Sequence, residues 1–316
     1  MTGLDDIRDA RTSGAGRIHR TPLFGSMALS QRTGVDLLLK AEFLQKTGSF
    51  KVRGVLHKIR QLTPAQKAAG LVSVSAGNHA AALAFAASAE GVKSTIVMPA
   101  TASPVKVQAS RDYGGEIILH GKAADAFDKM EELRDQYGYT LIHPYNDHDI
   151  IAGHGTVGLE IMEDMPDTDV VIVPIGGGGL IAGVAAAVKA MRPEARVYGV
   201  EPHGAPTVRA ALDANEIVRL ESIQTIADGL AAPMSGDIVM EHIRQLVDDV
   251  VLVSDEEIKD AVRTLLVRCK FMVEPAGAAG LAALLNGHIP VSTGERVVVV
   301  LSGGNLDLER LRALLQ

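Results

Sequence analysis

Along most of the chain, short runs of β-branched and other apolar residues alternate with longer Ala- and Leu-rich stretches whose polar residues fall at helical spacing. The alternation predicts strands over Asp36–Ala41, Leu71–Val74, Ser94–Met98, Glu116–His120, Thr140–Ile142, Asp169–Pro174, Arg196–Glu201 and Arg296–Leu301. It predicts helices over Phe50–Gln61, Asn78–Glu90, Pro104–Tyr113, Lys122–Tyr137, Gly155–Met165, Ile181–Met191, Asp255–Cys269 and Ala276–Leu285. Strands separated by helices build parallel sheets covered on both faces, so the expected fold class is α/β. No internal repeat, low-complexity tract or linker interrupts the pattern. The 316 residues suffice for about two domains, and without a linker these would interleave, the chain returning to the first near His143–Gly155.

One stretch, Val170–Val188, runs 19 residues without a charge, about the length of a membrane span. Pro174 and the run Gly176-Gly177-Gly178-Gly179 break it into a buried strand, a glycine loop and a helix beginning near Leu180. Composition narrows the class further. Apolar residues make up 47% of the chain and charged residues 22%, which excludes disorder and provides a core. The 31 basic and 38 acidic side chains give a net charge of −7 without any Lys/Arg block, which argues against nucleic acid or an anionic membrane as partner. A small-molecule enzyme is the expected class. Cys269 is the single cysteine, so neither an intramolecular disulfide nor a Cys-based zinc cluster can form, and its apolar neighbours suggest a buried structural thiol. Ten histidines show no metal-binding spacing. Met1–Arg20 lacks the apolar core of a signal peptide, so a cytoplasmic location is expected.

Five segments carry candidate chemistry. Lys51, in Gly48-Ser49-Phe50-Lys51-Val52-Arg53-Gly54, falls in the first turn of a helix, where the positive dipole end lowers an amine's pKa; it reads either as a poised nucleophile or as a solvated surface lysine. Ser75-Ala76-Gly77-Asn78-His79 lies between a strand and a helix and reads either as an anion receptor or as a capping turn. Gly176–Gly179 places several amides where they can converge on a phosphate. With Ala182 it also meets a G-x-G-x-x-A dinucleotide pattern, and Glu201 stands where a ribose-binding acid would, so a nicotinamide-dependent oxidoreductase is a rival. Ser302-Gly303-Gly304-Asn305 follows an apolar strand and offers a hydroxyl to a cleft, or forms a plain turn. Glu274, before Pro275, fits a pocket carboxylate or an acid at a helix start.

Taken in order and approximate spacing, these segments resemble the fold-type II pyridoxal phosphate enzymes, and within them the serine/threonine dehydratase (threonine ammonia-lyase) and serine racemase family. The likeness covers nearly the whole chain. It extends to His143-Pro144-Tyr145-Asn146-Asp147 with Ile151–Thr156, to Thr225–Gly229 and to Glu274–Ala279. It implies a two-domain α/β fold like that of the tryptophan synthase β chain, with residues 1–60 and 147–316 as a large cofactor-binding domain and 61–146 as a small mobile one. It assigns Lys51 to a Schiff base with pyridoxal 5'-phosphate and Phe50 to packing on the ring. Gly176, Gly177, Gly178, Gly179 and Leu180 would hold the phosphate, Asn78 the ring hydroxyl and Ser302 the pyridine nitrogen, with Glu274 beside them. Ser75, Ala76, Gly77, Asn78 and His79 would receive the substrate carboxylate.

The implied reaction is dehydration and deamination of L-threonine, or L-serine, to a 2-oxo acid and ammonia, in a homodimer or higher homo-oligomer. Leu230-Ala231-Ala232-Pro233-Met234 would line the side-chain pocket. Other β-hydroxy amino acids (3-hydroxyaspartate, phenylserine), serine racemisation, threonine synthase or cysteine synthase chemistry, and noncatalytic amino-acid binding are the alternatives. Two departures narrow them. Where serine racemases of the family carry a serine for the opposite face of Cα, this chain has Ala76, and a methyl group carries no proton. Their divalent-cation site matches Glu201 and Ala205 but meets Thr207 in place of an Asp, so a Mg²⁺ or Ca²⁺ site is weakened and a monovalent ion or no metal is expected. The chain ends soon after Asn305, so the regulatory domain of isoleucine-inhibited threonine dehydratases is not expected.

Overall fold

The computed structural model describes residues 1–316. Its ten strands are β1 (Leu23–Gly25), β2 (Asp36–Lys40), β3 (Leu71–Val74), β4 (Ser94–Met98), β5 (Glu116–Leu119), β6 (Thr140–Leu141), β7 (Val170–Pro174), β8 (Arg196–Pro202), β9 (Asp249–Val253) and β10 (Arg296–Val300). A six-stranded sheet has the order β1-β2-β10-β7-β8-β9, and a four-stranded sheet the order β5-β4-β3-β6. Every pairing is parallel except that of β1 with β2. The fold is thus α/β with two parallel-rich sheets. Strands of the smaller sheet all fall between residues 71 and 141, and those of the larger one before and after that stretch.

Each expected strand is present. The two that were not expected have physical reasons: β1 is three residues at an antiparallel edge, too short for a pattern, and β9 opens on the second of two consecutive aspartates, which mask its start. Central strands β7 and β10 are buried along Val170–Pro174 and Val297–Val300, as parallel strands between two helical layers must be. That burial resolves the uncharged Val170–Val188 stretch into β7, the glycine loop and the helix Gly179–Met191. No helix is long and apolar enough to cross a membrane.

The helix expected from Gly155 begins seven residues earlier, at His148, where the Asp147 carboxylate accepts from the N–H groups of Asp149 and Ile150. Gly153 and Gly155 look like helix breakers in the sequence, yet they are contact points. A Cβ on Gly153 would stand 2.4 Å from the Cα of Gly54 on the Lys51–Gln61 helix. On the other side, a Cβ on Gly183 would stand 2.3 Å from the Ile151 carbonyl. The His148–Asp164 helix is therefore clasped backbone-to-backbone between the helix that carries Lys51 and the one that follows the glycine loop. The helix expected to run to Cys269 stays α-helical to Thr264 and ends in a π turn, Leu265–Cys269, with Cys269 half-buried instead of buried. Helices at Leu4–Gly14, Met27–Thr33, Pro64–Ala69, Thr207–Ala214, Asp237–Leu246 and Leu308–Leu315 complete the chain.

Candidate active site

Between the carboxyl ends of the two sheets lies a cavity of about 570 Å³, where open α/β sheets collect ligands. Phe50, Lys51, Ser75, Ala76, Gly77, Asn78, His79, Gly176, Gly177, Gly178, Gly179, Leu180, Glu274 and Ser302 all line it, so segments far apart in the chain converge on one space.

Lys51 opens the helix Lys51–Gln61. Its Nζ donates to the Pro144 carbonyl at 2.8 Å and lies 5.1 Å from the centre of the Phe50 ring. Enclosure among these groups lowers its pKa from 10.5 to about 8. Burial is the cause, where the sequence had pointed to the helix dipole. The surface-lysine reading is set aside.

Ser75–His79 follows β3, and the helix Asn78–Ala89 starts there without a capping side chain, leaving first-turn N–H groups for a ligand. The Ser75 hydroxyl accepts from the Gly77 N–H at 3.2 Å. Asn78 donates through Nδ2 to Glu274 Oε1 at 2.6 Å, and its Oδ1 accepts from Asn305 Nδ2 at 2.8 Å. The His79 imidazole is turned away, its Nε2 lying 3.1 Å from both the Ser73 hydroxyl and the Ile142 carbonyl, and burial lowers its pKa to about 3. What His79 offers the cavity is its backbone.

Gly176–Gly179 leaves β7 with Gly178 at φ +91°, a conformation side chains resist, and the helix Gly179–Met191 begins uncapped. A Cβ on Gly177 would stand 2.3 Å from Tyr145 Cδ1, and one on Gly176 2.9 Å from the Gly229 carbonyl. The loop is therefore a side-chain-free cradle of amides at a positive helix end, which fits a phosphate. On the opposite wall, Ser302 follows β10 and is buried. Glu274 meets both of its readings: it is the N-cap of the helix Pro275–Leu285, but its carboxyl turns to Asn78, and burial raises its pKa to about 7.

Glu201 lies outside this cavity. It is fully buried and accepts from the N–H groups of Val208 at 2.7 Å and Arg209 at 2.9 Å, capping the helix Thr207–Ala214. Burial raises its pKa to about 7. A carboxylate engaged in this way is not free for a ribose hydroxyl. The Thr207 hydroxyl donates to the Ala232 carbonyl at 2.6 Å. Of the Leu230–Met234 segment, Leu230, Ala231 and Ala232 reach the cavity wall. Sequence reasoning gave no role to Tyr145, whose ring lies along Gly177 and whose hydroxyl donates to the Met234 carbonyl at 2.8 Å. It also passed over Lys106, Asp228 and Arg310 at the same cavity. The motifs holding Tyr145 and Asp228 were the available signal.

An amine of lowered pKa, a phosphate cradle and a second uncapped helix start in one cavity suit a phosphate-bearing aldehyde and an amino acid. Comparison with known proteins agrees. The L-threonine ammonia-lyase of Thermotoga maritima is 44% identical over 312 residues, covering 98% of this chain and 77% of that protein. Among solved structures, a threonine deaminase from T.th. matches with a TM-score of 0.91 at 42% identity, covering 97% of this chain and 99% of that one. Maize serine racemase matches with a TM-score of 0.94 at 40% identity, covering 99% and 97%. A family model described as pyridoxal-phosphate dependent enzyme matches residues 15–303, which retires the nicotinamide alternative. With its amine, its amide cradle and a match over nearly its whole length, the chain belongs to the pyridoxal-phosphate dependent enzymes.

Proposed function

We propose that the protein is an L-threonine ammonia-lyase that also accepts L-serine, removing water from the β-hydroxy amino acid to give an enamine whose imine tautomer then takes up water and splits into a 2-oxo acid and ammonia. One observation carries the reading: the enclosed amine of Lys51 shares a cavity with two uncapped helix starts, at Asn78 and at Gly179. The amides of Gly176–Leu180 would hold the cofactor phosphate, Phe50 would pack on its ring, Asn78 would donate to the ring hydroxyl oxygen and Ser302 would serve the ring nitrogen. Backbone N–H groups and the hydroxyl of Ser75–His79 hold the substrate carboxylate. Pyridoxal phosphate, when bound, supplies the sink for the electron pair released at Cα. Lys51 takes the Cα proton, for which an amine of pKa about 8 is suited near neutral pH. A neutral hydroxyl at Ser302, unlike a carboxylate, would not hold a proton on the ring nitrogen, so loss of the β-hydroxyl would be favoured over prolonged storage of charge.

Leu230, Ala231 and Ala232 offer apolar surface to a methyl group, in keeping with threonine, the substrate named for the Thermotoga relative. The likeness to maize serine racemase favours racemisation as a second reading, and Ala76 opposes it. Residues 61–146 form the mobile domain whose closure excludes water. Exposed Leu44 and Met272, beside the packed rings of Phe24, Phe43 and Phe271, suit an interface between copies in a homodimer, which light scattering checks. The decisive experiment is an absorption spectrum of the purified holoenzyme followed by 2-oxo acid assays with L-threonine, L-serine, 3-hydroxyaspartate and phenylserine. Turnover fastest with L-threonine and abolished by Lys51→Ala is expected. D-serine forming faster than ammonia, or activity surviving Lys51→Ala, overturns the reading.

A further inference from the structure

The turn that leads into Lys51 is strained. Thr47 has φ +64° and ψ 10°, in the left-handed region, where a β-branched residue is a genuine outlier. Gly48 follows at φ +72°. The Thr47 and Ser49 hydroxyls are both buried and make no hydrogen bond, so the turn gains nothing from its own side chains. Strain of this kind persists only where surrounding groups over-determine the backbone.

Those groups come from the segment after β10. The Phe50 N–H donates to the Ser302 carbonyl at 3.1 Å, and the Gly304 N–H to the Gly48 carbonyl at 2.9 Å. A single side chain completes the clamp. Asn305 Nδ2 donates to the Thr47 carbonyl at 2.8 Å and to Asn78 Oδ1 at 2.8 Å, which uses both of its amide protons. A Cβ on Gly48 would stand 2.3 Å from Asn305 Oδ1, so glycine there is what admits the amide. Because Asn78 Oδ1 is taken by Asn305, the Asn78 NH₂ is forced to point toward Glu274, leaving its second proton for the cavity.

We propose that Asn305 is a positioning residue, its one amide holding the strained Thr47–Ser49 turn and fixing the direction of the Asn78 amide, so that Lys51 and Asn78 keep a set spacing across the cavity. The proposal rests on the roles given above to Lys51 and Asn78. It differs from a structural role in a specific way. A merely structural Asn305 stabilises the fold by tying down a costly turn, and relieving the cost at Thr47 would make it dispensable. A positioning Asn305 remains necessary after the strain is gone, because Asn78 is still unheld.

The test compares the unaltered protein with Asn305→Ala, the isosteric Asn305→Asp, which has no proton to donate to either acceptor, and Asn305→Ala combined with Thr47→Gly. Melting temperature of the cofactor-free protein and the dissociation constant of pyridoxal phosphate are measured for each. Two lost hydrogen bonds of about 1 kcal/mol each correspond to roughly a tenfold or greater rise in that dissociation constant for both single variants. Adding Thr47→Gly is expected to restore the melting temperature of Asn305→Ala but not its cofactor affinity. Unchanged affinity in the single variants, or recovery of affinity by Thr47→Gly, overturns the proposal. Should Asn305→Ala fail to fold, Asn305→Asp carries the same comparison. Exchange of the Asn305 side-chain amide protons in the unaltered holoenzyme gives a reading without any substitution: slow exchange is expected, and exchange at the rate of an exposed amide overturns it. Borohydride reduction and peptide mapping of the unaltered protein test the assignment of Lys51 separately: an adduct elsewhere refutes that assignment, whereas an adduct at Lys51 with normal affinity in the Asn305 variants refutes only the positioning role.

Discussion

Replacing Arg53 by methionine is expected to be among the most damaging single changes outside the cavity. Arg53 lies two residues after Lys51 on the same helix and is 2% exposed. Its Nε and Nη2 donate to the two Glu42 oxygens at 2.7 and 2.8 Å, and its Nη1 and Nη2 to the two Glu160 oxygens at 2.7 and 2.9 Å. Nη1 also reaches the Thr156 hydroxyl at 3.1 Å. Lys40, itself fully buried, reaches Glu160 at 2.6 Å. Two cations and two anions therefore balance in a dry interior. Arg53→Met leaves two carboxylates facing one ammonium, and Glu42 without its ionic partner. Removing one partner of a buried pair costs about 3–5 kcal/mol, and the double bidentate geometry puts this case at the upper end. Against a typical total stability of about 5–15 kcal/mol, that is a large fraction.

The pH dependence gives the loss a signature. In the unaltered protein burial raises the Glu160 pKa, but Arg53 and then Lys40 outweigh it and hold the carboxyl below its usual 4.5. Its contribution to stability is thus present above the unfolded value and lost as pH falls through the lowered folded one. Without Arg53, only Lys40 opposes burial, so the folded pKa is expected to rise. The penalty is then full at neutral pH and shrinks as the carboxyl takes up a proton. Urea unfolding followed by circular dichroism at pH 7.5 and pH 5 measures both effects. Arg53→Lys, which keeps the charge but loses the fork, should fall between. Arg8→Met is the control, because Arg8 and Asp5 are 54% and 97% exposed and such a pair contributes less than about 1 kcal/mol. A deficit for Arg53→Met below about 1 kcal/mol, or one that grows toward pH 5, would refute the reasoning.

Lys51 should attach to the cofactor aldehyde as the free amine, so the rate of attachment to cofactor-free protein is expected to rise with pH to a midpoint near 8; a midpoint near 10.5 would mean that burial does not govern it. Gly177→Ala places a methyl 2.3 Å from Tyr145 Cδ1, and is expected to lower stability by about 1–3 kcal/mol and to weaken cofactor binding, read by a thermal melt and a cofactor titration. Unchanged values in both would show that the Tyr145 wall yields. Ala76→Ser supplies a proton-bearing group beside Cα and is expected to raise D-serine formation from L-serine by at least about tenfold, measured by chiral chromatography, because a positioned acid or base contributes of order 10²-fold. No gain in D-serine would mean that residue 76 does not face the substrate.

What could be read from the sequence was what local backbone chemistry enforces. Val297–Val300 had to be a buried parallel strand, and four glycines after a strand had to be a loop of bare amides. The partners of those elements were harder to read. Gly153 and Gly155 look like helix breakers until Gly54 and Gly183 are seen pressed against the same helix, and nothing near them in the chain announces that contact. His79 was expected among the carboxylate receptors, but Ser73 and Ile142 turn its ring away, and only a three-dimensional neighbour can do that. The same holds for Lys51, whose lowered pKa comes from enclosure by Phe50 and Pro144, while its place in a helix first turn was the only local clue. Asn305 is separated by 227 residues from Asn78 and by 258 from Thr47, and a turn-forming Ser-Gly-Gly-Asn accounts for its letters without either partner. Motifs in this chain thus specify which backbone groups are bare, and the long-range contacts decide which side chains face them. A substitution in the bare-amide loops at Ser75–Asn78 or Gly176–Gly179 should therefore weaken ligand binding directly, whereas one at Gly153, Gly183 or Arg53 should act on the site through the helix that bears it.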